Sequence, residues 1–209
     1  YILFGEGPLD VYTTYSEVTG RPFLPPSWAL GLHLSRYSYE PQDAAAEVVR
    51  EVAREVPLAA VYLDIDYMEG YKQFTWDLRK FPDPAGFVHE MRELGIRVVA
   101  IVDPYIKAEP GYRPFRELLD CLLVTENDEL FLARGWPGLS ALPDFLNPKC
   151  RERWGDLIAD FVKTYGIDGV WLDMNEPTVF NCDALATRSR IYALAGATPH
   201  GLTKEELLC

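Results

Sequence analysis

Long apolar runs are missing from this sequence. Its most apolar stretches, Val98 to Val102 and Leu58 to Leu63, fall far short of the roughly 20 residues that a membrane-spanning helix requires. No charged-then-apolar segment of the signal type opens the chain. Basic residues are scarce as well: 20 Lys and Arg stand against 32 Asp and Glu, a net charge of -12. A nucleic-acid backbone needs clustered cations, so nucleic acid is excluded as a partner, and an anionic membrane is disfavoured for the same reason. Cysteine is sparse and dispersed. Cys121, Cys150, Cys182 and Cys209 form no C-x-x-C pair and have no histidine nearby, which speaks against zinc and for reduced, inert thiols. Unpaired thiols and a missing leader lean, no more than that, towards a cytoplasmic location. The chain opens at Tyr1 inside a strand-like run, Tyr-Ile-Leu-Phe, and so reads as part of something longer.

What is present suffices for a packed core. Of 209 residues, 48% are hydrophobic and 13% aromatic. Buried strands alternate with amphipathic helices, the signature of βαβ units and a parallel sheet. Residues 28–35 read as a first strand after the turn Pro25-Pro26, and residues 41–55 as the helix that follows. Residues 58–65 and 84–94 form a second such pair, with Gly95 as the helix stop. A third strand spans 97–102, a third helix runs from Asn147-Pro148 to Tyr165 with Gly166 ending it, and a fourth strand spans 169–172. Between them, residues 104–148 break the rhythm. The apolar runs 121–125 and 129–133 predict a hairpin or small subdomain inserted after strand three. The expected domain plan is a lead-in over 1–20, containing a helix over 8–17 and a strand over 1–4 from a preceding domain. A barrel half follows over 21–182, and a divergent or truncated tail over 183–209. The fold class is α/β, a partial TIM (β/α)8 barrel of about four βα units.

Carboxylates fall in register with this plan. Asp64 and Asp66 close strand two, Asp103 closes strand three and Asp173 closes strand four. Carboxyl ends of parallel strands face one crevice, so these groups converge on one site. For Asp66 and Asp103, capping of the next turn is the preferred reading; for Asp173, followed by Glu176, chemistry is preferred, because a poor strand former ends a buried strand. Aromatic residues crowd the same rim: Tyr37 and Tyr39, then Tyr67, Tyr71, Phe74 and Trp76, then Tyr105, Trp136 and Trp171. Flat apolar rings beside carboxylates suit a pyranose, whose faces carry CH groups and whose edge carries hydroxyls. For Tyr67, Phe74 and Phe81, packing within the loop is preferred.

Trp171-Leu172-Asp173-Met174-Asn175-Glu176-Pro177 resembles the nucleophile signature of glycoside hydrolase family 31, the α-glucosidase and α-xylosidase family. Thr19-Gly20-Arg21-Pro22 with Trp28-Ala29-Leu30-Gly31 resembles its lead-in to barrel strand one. Leu63-Asp64-Ile65-Asp66-Tyr67-Met68, Phe74-Thr75-Trp76-Asp77 and Phe81-Pro82-Asp83-Pro84 are similar to its second strand and loop. Ile101-Val102-Asp103-Pro104, Trp136-Pro137-Gly138 and Pro143-Asp144-Phe145 agree too, so that the resemblance spans roughly residues 1–182.

The resemblance implies a retaining, exo-acting α-glycosidase that takes an oligosaccharide or α-glucoside, with Asp173 as nucleophile and no metal or cofactor. It implies that Asp64 binds sugar hydroxyls and that Tyr37, Ile106, Trp136, Trp171 and Met174 line the pocket. Glu176 is expected behind Asp173 as a salt-bridged support, and Asp66 as another supporting residue. The family's acid/base Asp comes from a later strand and has no counterpart here, so the rest of the barrel is expected to complete the site and this polypeptide to be nearly inactive alone. A non-catalytic sugar-binding relative is the alternative. A metal-dependent barrel using Asp64, Asp66, Asp103 and Glu176 is a third reading.

Overall fold

The computed structural model of the chain describes residues 2–125, 127–176, 178, 180 and 184–186. Helix α1 (Pro8–Thr19) buries no residue, and residues 2–4 form no strand, contrary to the expected lead-in strand. The first barrel strand is also shorter than expected. Ser27–Leu30 forms a single 3₁₀ turn, and only Leu32–Leu34 pairs as β1. Gly31 separates the two because a Cβ there would stand 2.4 Å from the Cβ of Ala59 on the next strand.

The chain then runs α2 (Gln42–Glu55), β2 (Leu58–Leu63), α3 (Pro84–Glu93) and β3 (Arg97–Val102). An excursion follows, through β4 (Ile106–Lys107), α4 (Arg113–Leu118), β5 (Leu130–Gly135) and β6 (Gly138–Ala141). The path returns through α5 (Pro148–Tyr165) to β7 (Gly169–Leu172), and β8 (Ala184–Ala186) comes last. Local chemistry accounts for the long helices. α3 and α5 each start with Pro, whose missing N–H is unneeded in a first turn. Asp83 and Asn147 cap them through their side chains, and α5 stops at Gly166, which takes the left-handed φ of 73°.

Strands β1-β2-β3-β7 form one parallel sheet in that order, and β1 and β7 are its open edges, so the barrel is not closed. Val61, Leu63, Val98, Ala100 and Val102 point to the helix-covered side and are fully buried. With them pack Ala45, Ala46 and Val49 of α2, Phe87, Val88 and Met91 of α3, and Trp154, Leu157 and Phe161 of α5. At about 25 cal/mol per Å² of apolar surface, this layer is the main stabilising element of the sheet. The opposite face carries His33, Tyr62 and Trp171 in one line of ring contacts, His33 to Tyr62 at 5.4 Å and Tyr62 to Trp171 at 6.2 Å.

Of the hairpin or small subdomain expected after strand three, the insertion takes the second form, a small sheet. Its strands run β4-β6-β5-β8, all antiparallel. The tight turn lies at Trp136-Pro137, where Gly138 supplies a φ of 91°; the first expected run contributes isolated bridges, Leu122 to Pro143 and Val124 to Leu130, while the second enters β5. An Arg134–Gly135–Trp136 path fits because the Tyr105 ring lies so close to Gly135 that a Cβ there would be 2.5 Å from it.

Candidate active site

Side chains alternate across a strand, so residues two apart share a face. In the parallel register Tyr62 lies beside Val99 and Val99 beside Gly169, while Ile101 lies beside Trp171. Two residues beyond Tyr62, Ile101 and Trp171 come Asp64, Asp103 and Asp173. The three carboxyls therefore leave three neighbouring strands on the same face and at the same end. Their electrostatics agree. The charge of Asp173 raises both Asp64 and Asp103, and that of Asp64 raises Asp103.

Asp64 is half-buried and accepts a hydrogen bond from the Ile65 backbone N–H at 2.7 Å, opening the 3₁₀ turn Ile65–Tyr67. Burial raises its carboxyl above the usual range, and that hydrogen bond acts the other way. Asp66 is buried at 7% exposure; it accepts from the Tyr71 hydroxyl at 3.1 Å and lies 3.7 Å from Lys80 Nζ. Tyr37 stands exposed beside this group, its phenol raised first by the charge of Asp66.

Asp103 behaves differently from the expected turn cap. It has no exposed surface, and among the described residues neither carboxylate oxygen has a hydrogen-bond partner. Its backbone N–H is held by Gln73 Oε1 at 2.8 Å, and Gln73, itself fully buried, accepts from the Tyr112 hydroxyl at 2.6 Å. Burial is the main cause that pushes the Asp103 carboxyl up to about 7, followed by Asp173 and Asp64. None of the groups acting on it among the described residues is a cation. The capping role falls to Asp64 instead, because its carboxylate folds back onto its own turn. Strand periodicity was the signal that set Asp103 apart, since it puts Asp103 on the face of Ile101.

Asp173 is half-buried at the head of a loop built with strain. Met174 follows it with a φ of 59°, a left-handed conformation that non-glycine residues rarely adopt and that gathers at functional sites. The Asn175 side-chain amide donates to the Asp173 carbonyl at 2.9 Å. The insertion then holds the loop: the Phe180 N–H donates to the Arg134 carbonyl at 2.8 Å, and the Tyr105 hydroxyl donates to the Thr178 carbonyl. Glu176 is exposed and accepts from Thr178 Oγ1 at 2.6 Å, a hydroxyl where a cation was expected.

Of the aromatic rim, Tyr37 and Trp136 are open at 67% and 43% exposure, and Trp171 is half-buried. Trp136 meets Phe180 with ring centroids 4.8 Å apart. Ile106 is fully buried, and Met174 is half-buried. Tyr39, Tyr67, Trp76 and Tyr105 are buried, which takes them out of any sugar-facing wall. Tyr67, Trp76 and Phe81 pack in a ring cluster with Phe161, and Phe74 packs edge-on against Phe161 and Trp154. Among the described residues no group of three or more His, Cys, Asp or Glu is arranged to hold a metal ion. Sequence reasoning passed over Gln73 and Asp168. Asp168 accepts from Arg92 at 2.9 Å and from the Val98 N–H at 3.1 Å, which seats the start of β7.

Residues 22–200 match the family model described as "Glycosyl hydrolases family 31 TIM-barrel domain". The chain is 42% identical over 182 residues to an alpha-glucosidase of Saccharolobus solfataricus, an alignment that covers 87% of this chain and 26% of that protein. To alpha-glucosidase 2 of Bacillus thermoamyloliquefaciens it is 43% identical over 186 residues, covering 87% and 23%. Among solved structures it is similar to a glucosidase II alpha subunit bound to DNJ, with a TM-score of 0.79 and 34% identity over 88% of this chain and 20% of that one. The chain thus spans about a quarter of the length of these curated relatives.

Proposed function

Since this chain belongs to glycosyl hydrolase family 31, we propose that it carries the nucleophile half of a retaining α-glycosidase acting on terminal, non-reducing α-linked glucose or a related sugar. The observation that supports this most is the convergence of Asp64, Asp103 and Asp173 on one face at the carboxyl ends of three adjacent parallel strands. Barrel enzymes keep their chemistry at those ends.

In this reading an Asp173 carboxylate oxygen attacks the anomeric carbon, and the bond from that carbon to the leaving oxygen breaks. The leaving oxygen takes a proton from a carboxylic acid about 5–5.5 Å from the nucleophile, and water later releases the sugar from Asp173. That acid is supplied by residues outside this chain, in the strands that would close the barrel. Asp64 accepts hydrogen bonds from the sugar's hydroxyls. Tyr37, Trp136, Trp171 and Met174 shape the pocket, and Ile106, fully buried, backs it. Asp66 keeps the Tyr37 phenol protonated through its charge and holds Tyr71 through a hydrogen bond, and Glu176 holds the loop behind Asp173 through Thr178.

Hydrolysis of a nitrophenyl α-glucoside tests both parts of the reading. The purified 209-residue chain is expected to turn over next to nothing. The longer polypeptide carrying it is expected to be active and to lose roughly a thousandfold or more in kcat on Asp173→Asn. Cleavage by the isolated chain that Asp173→Asn abolishes would overturn the missing-acid claim. Full activity of the Asp173→Asn polypeptide would overturn the nucleophile assignment.

A further inference from the structure

Asp103 stands out because every other buried acid has an answer. Asp66 has Tyr71 and Lys80. Asp77 has Arg79, at 2.7 Å and 2.9 Å. Asp103 has no exposed surface and, among the described residues, no partner for either oxygen. A carboxylate in that state would carry a desolvation penalty of several kcal/mol, and proteins remove it by neutralising the group. The titratable groups that face Asp103 make ionisation harder still. Asp173 at the end of β7 and Asp64 at the end of β2 are acids, and Tyr67 and Tyr105, whose own phenols are raised by Asp103, supply no positive charge. Like charges this close cannot all ionise freely, and the most deeply buried member keeps the proton.

We propose that Asp103 is a positioning residue for Asp173: a fully buried, unpartnered carboxyl on the floor of the site that yields the cluster's negative charge to Asp173 and Asp64. The backbone beneath the carboxyl is fixed as well. Gln73, fixed by the Tyr112 hydroxyl and donating its side-chain amide to the Tyr71 carbonyl at 3.3 Å, clamps the Asp103 N–H. The backbone of Asp103 is thereby held at the end of β3, between β2 and β7. A neutral floor removes a repulsive charge from beneath the nucleophile without filling its space. The proposal rests on the glycosidase reading for the role it gives Asp173, while the protonation of Asp103 stands on the fold alone.

The test is carboxyl ¹³C NMR of the full 209-residue chain with labelled aspartate, with Asp103→Asn used to assign the signal. The proposal expects the Asp103 resonance to titrate with a midpoint near 7, as its burial dictates. Urea unfolding supplies the second readout. The folded group holds its proton up to about 7, against an unfolded value of about 4. Wild-type stability should therefore fall as pH rises from about 4 to about 7, by as much as a thousandfold in the folding equilibrium. Asp103→Asn, neutral at every pH, should lose that slope and be the more stable of the two at pH 8. An Asp103 resonance titrating near 4, or a variant whose pH dependence parallels wild type, overturns the proposal. Failure of an α-glucosyl label to attach at Asp173 would instead remove the glycosidase reading and leave the titration as it is.

Discussion

Two buried acids near the site respond to pH in opposite directions, and their surroundings explain why. Asp103 has burial and two like charges around it, so its carboxyl is pushed up to about 7. Asp77 accepts two guanidinium hydrogen bonds and the backbone N–H of Arg79, which pull its carboxyl down to about 2. A depressed carboxyl adds stability that is complete above its unfolded value near 4 and lost as pH falls towards 2. Asp77→Asn should thus lower the urea midpoint at pH 6, with the gap to wild type closing by pH 2. The Arg79 side chain is 85% exposed, so solvent screening keeps the effect to roughly 1 kcal/mol. A gap that persisted unchanged at pH 2 would mean that the loop turn from Asp77 to the Tyr67 carbonyl, and not the ion pair, carries the residue's contribution.

At the scale of elements, legibility followed how local the cause was. The starts of α3 and α5 were readable because Pro and an Asp or Asn cap sit side by side in sequence, and the end of α5 because Gly166 follows it. The parallel strands were readable as apolar runs. The length of β1 was not, because Gly31 owes its place to a contact with Ala59, 28 positions on, counting from 31 to 59. The insertion was readable as a break in the rhythm but not in its pairing: Trp136-Pro137-Gly138 drew attention as a motif, whereas its structural part is the turn between β5 and β6. Asp103, Asp64 and Asp173 were found together by strand position, but which of them caps a turn depends on side-chain direction. Asp168 escaped notice although it precedes β7 as Arg97 opens β3, both at the amino ends of adjacent strands. Its carboxylate takes Arg92, Arg97 and the Val98 N–H. Asp168→Ala would strand that N–H and should cost about 1–3 kcal/mol. Hydrogen exchange should then quicken at residues 169–172 before it does so in β2. Unchanged protection of β7 would show that the ladder to β3 holds the strand unaided.

For the whole molecule, the central fact is a parallel sheet with two open edges, one of them the strand that presents Asp173. Leu172, on the helix-facing side of that edge strand, is 57% exposed, whereas its register partner Val102 is buried. This is the condition of a strand that has lost, or awaits, a neighbour. The face that bears Asp64, Asp103 and Asp173 is the proposed seat of the chemistry, the covered face carries the stability, and the insertion steadies the loop after Asp173 through Arg134 and Tyr105. The most direct measurement is covalent trapping. A fluorinated α-glucosyl fluoride reacts through a leaving group that needs no proton, so the label depends on the nucleophile and the pocket rather than on the acid. Applied to the whole polypeptide that carries these residues and read by peptide mass spectrometry, it should place one glycosyl group on Asp173 and none on the Asp173→Ala variant. A label on Asp64 or elsewhere, or labelling that survives Asp173→Ala, would contradict the account.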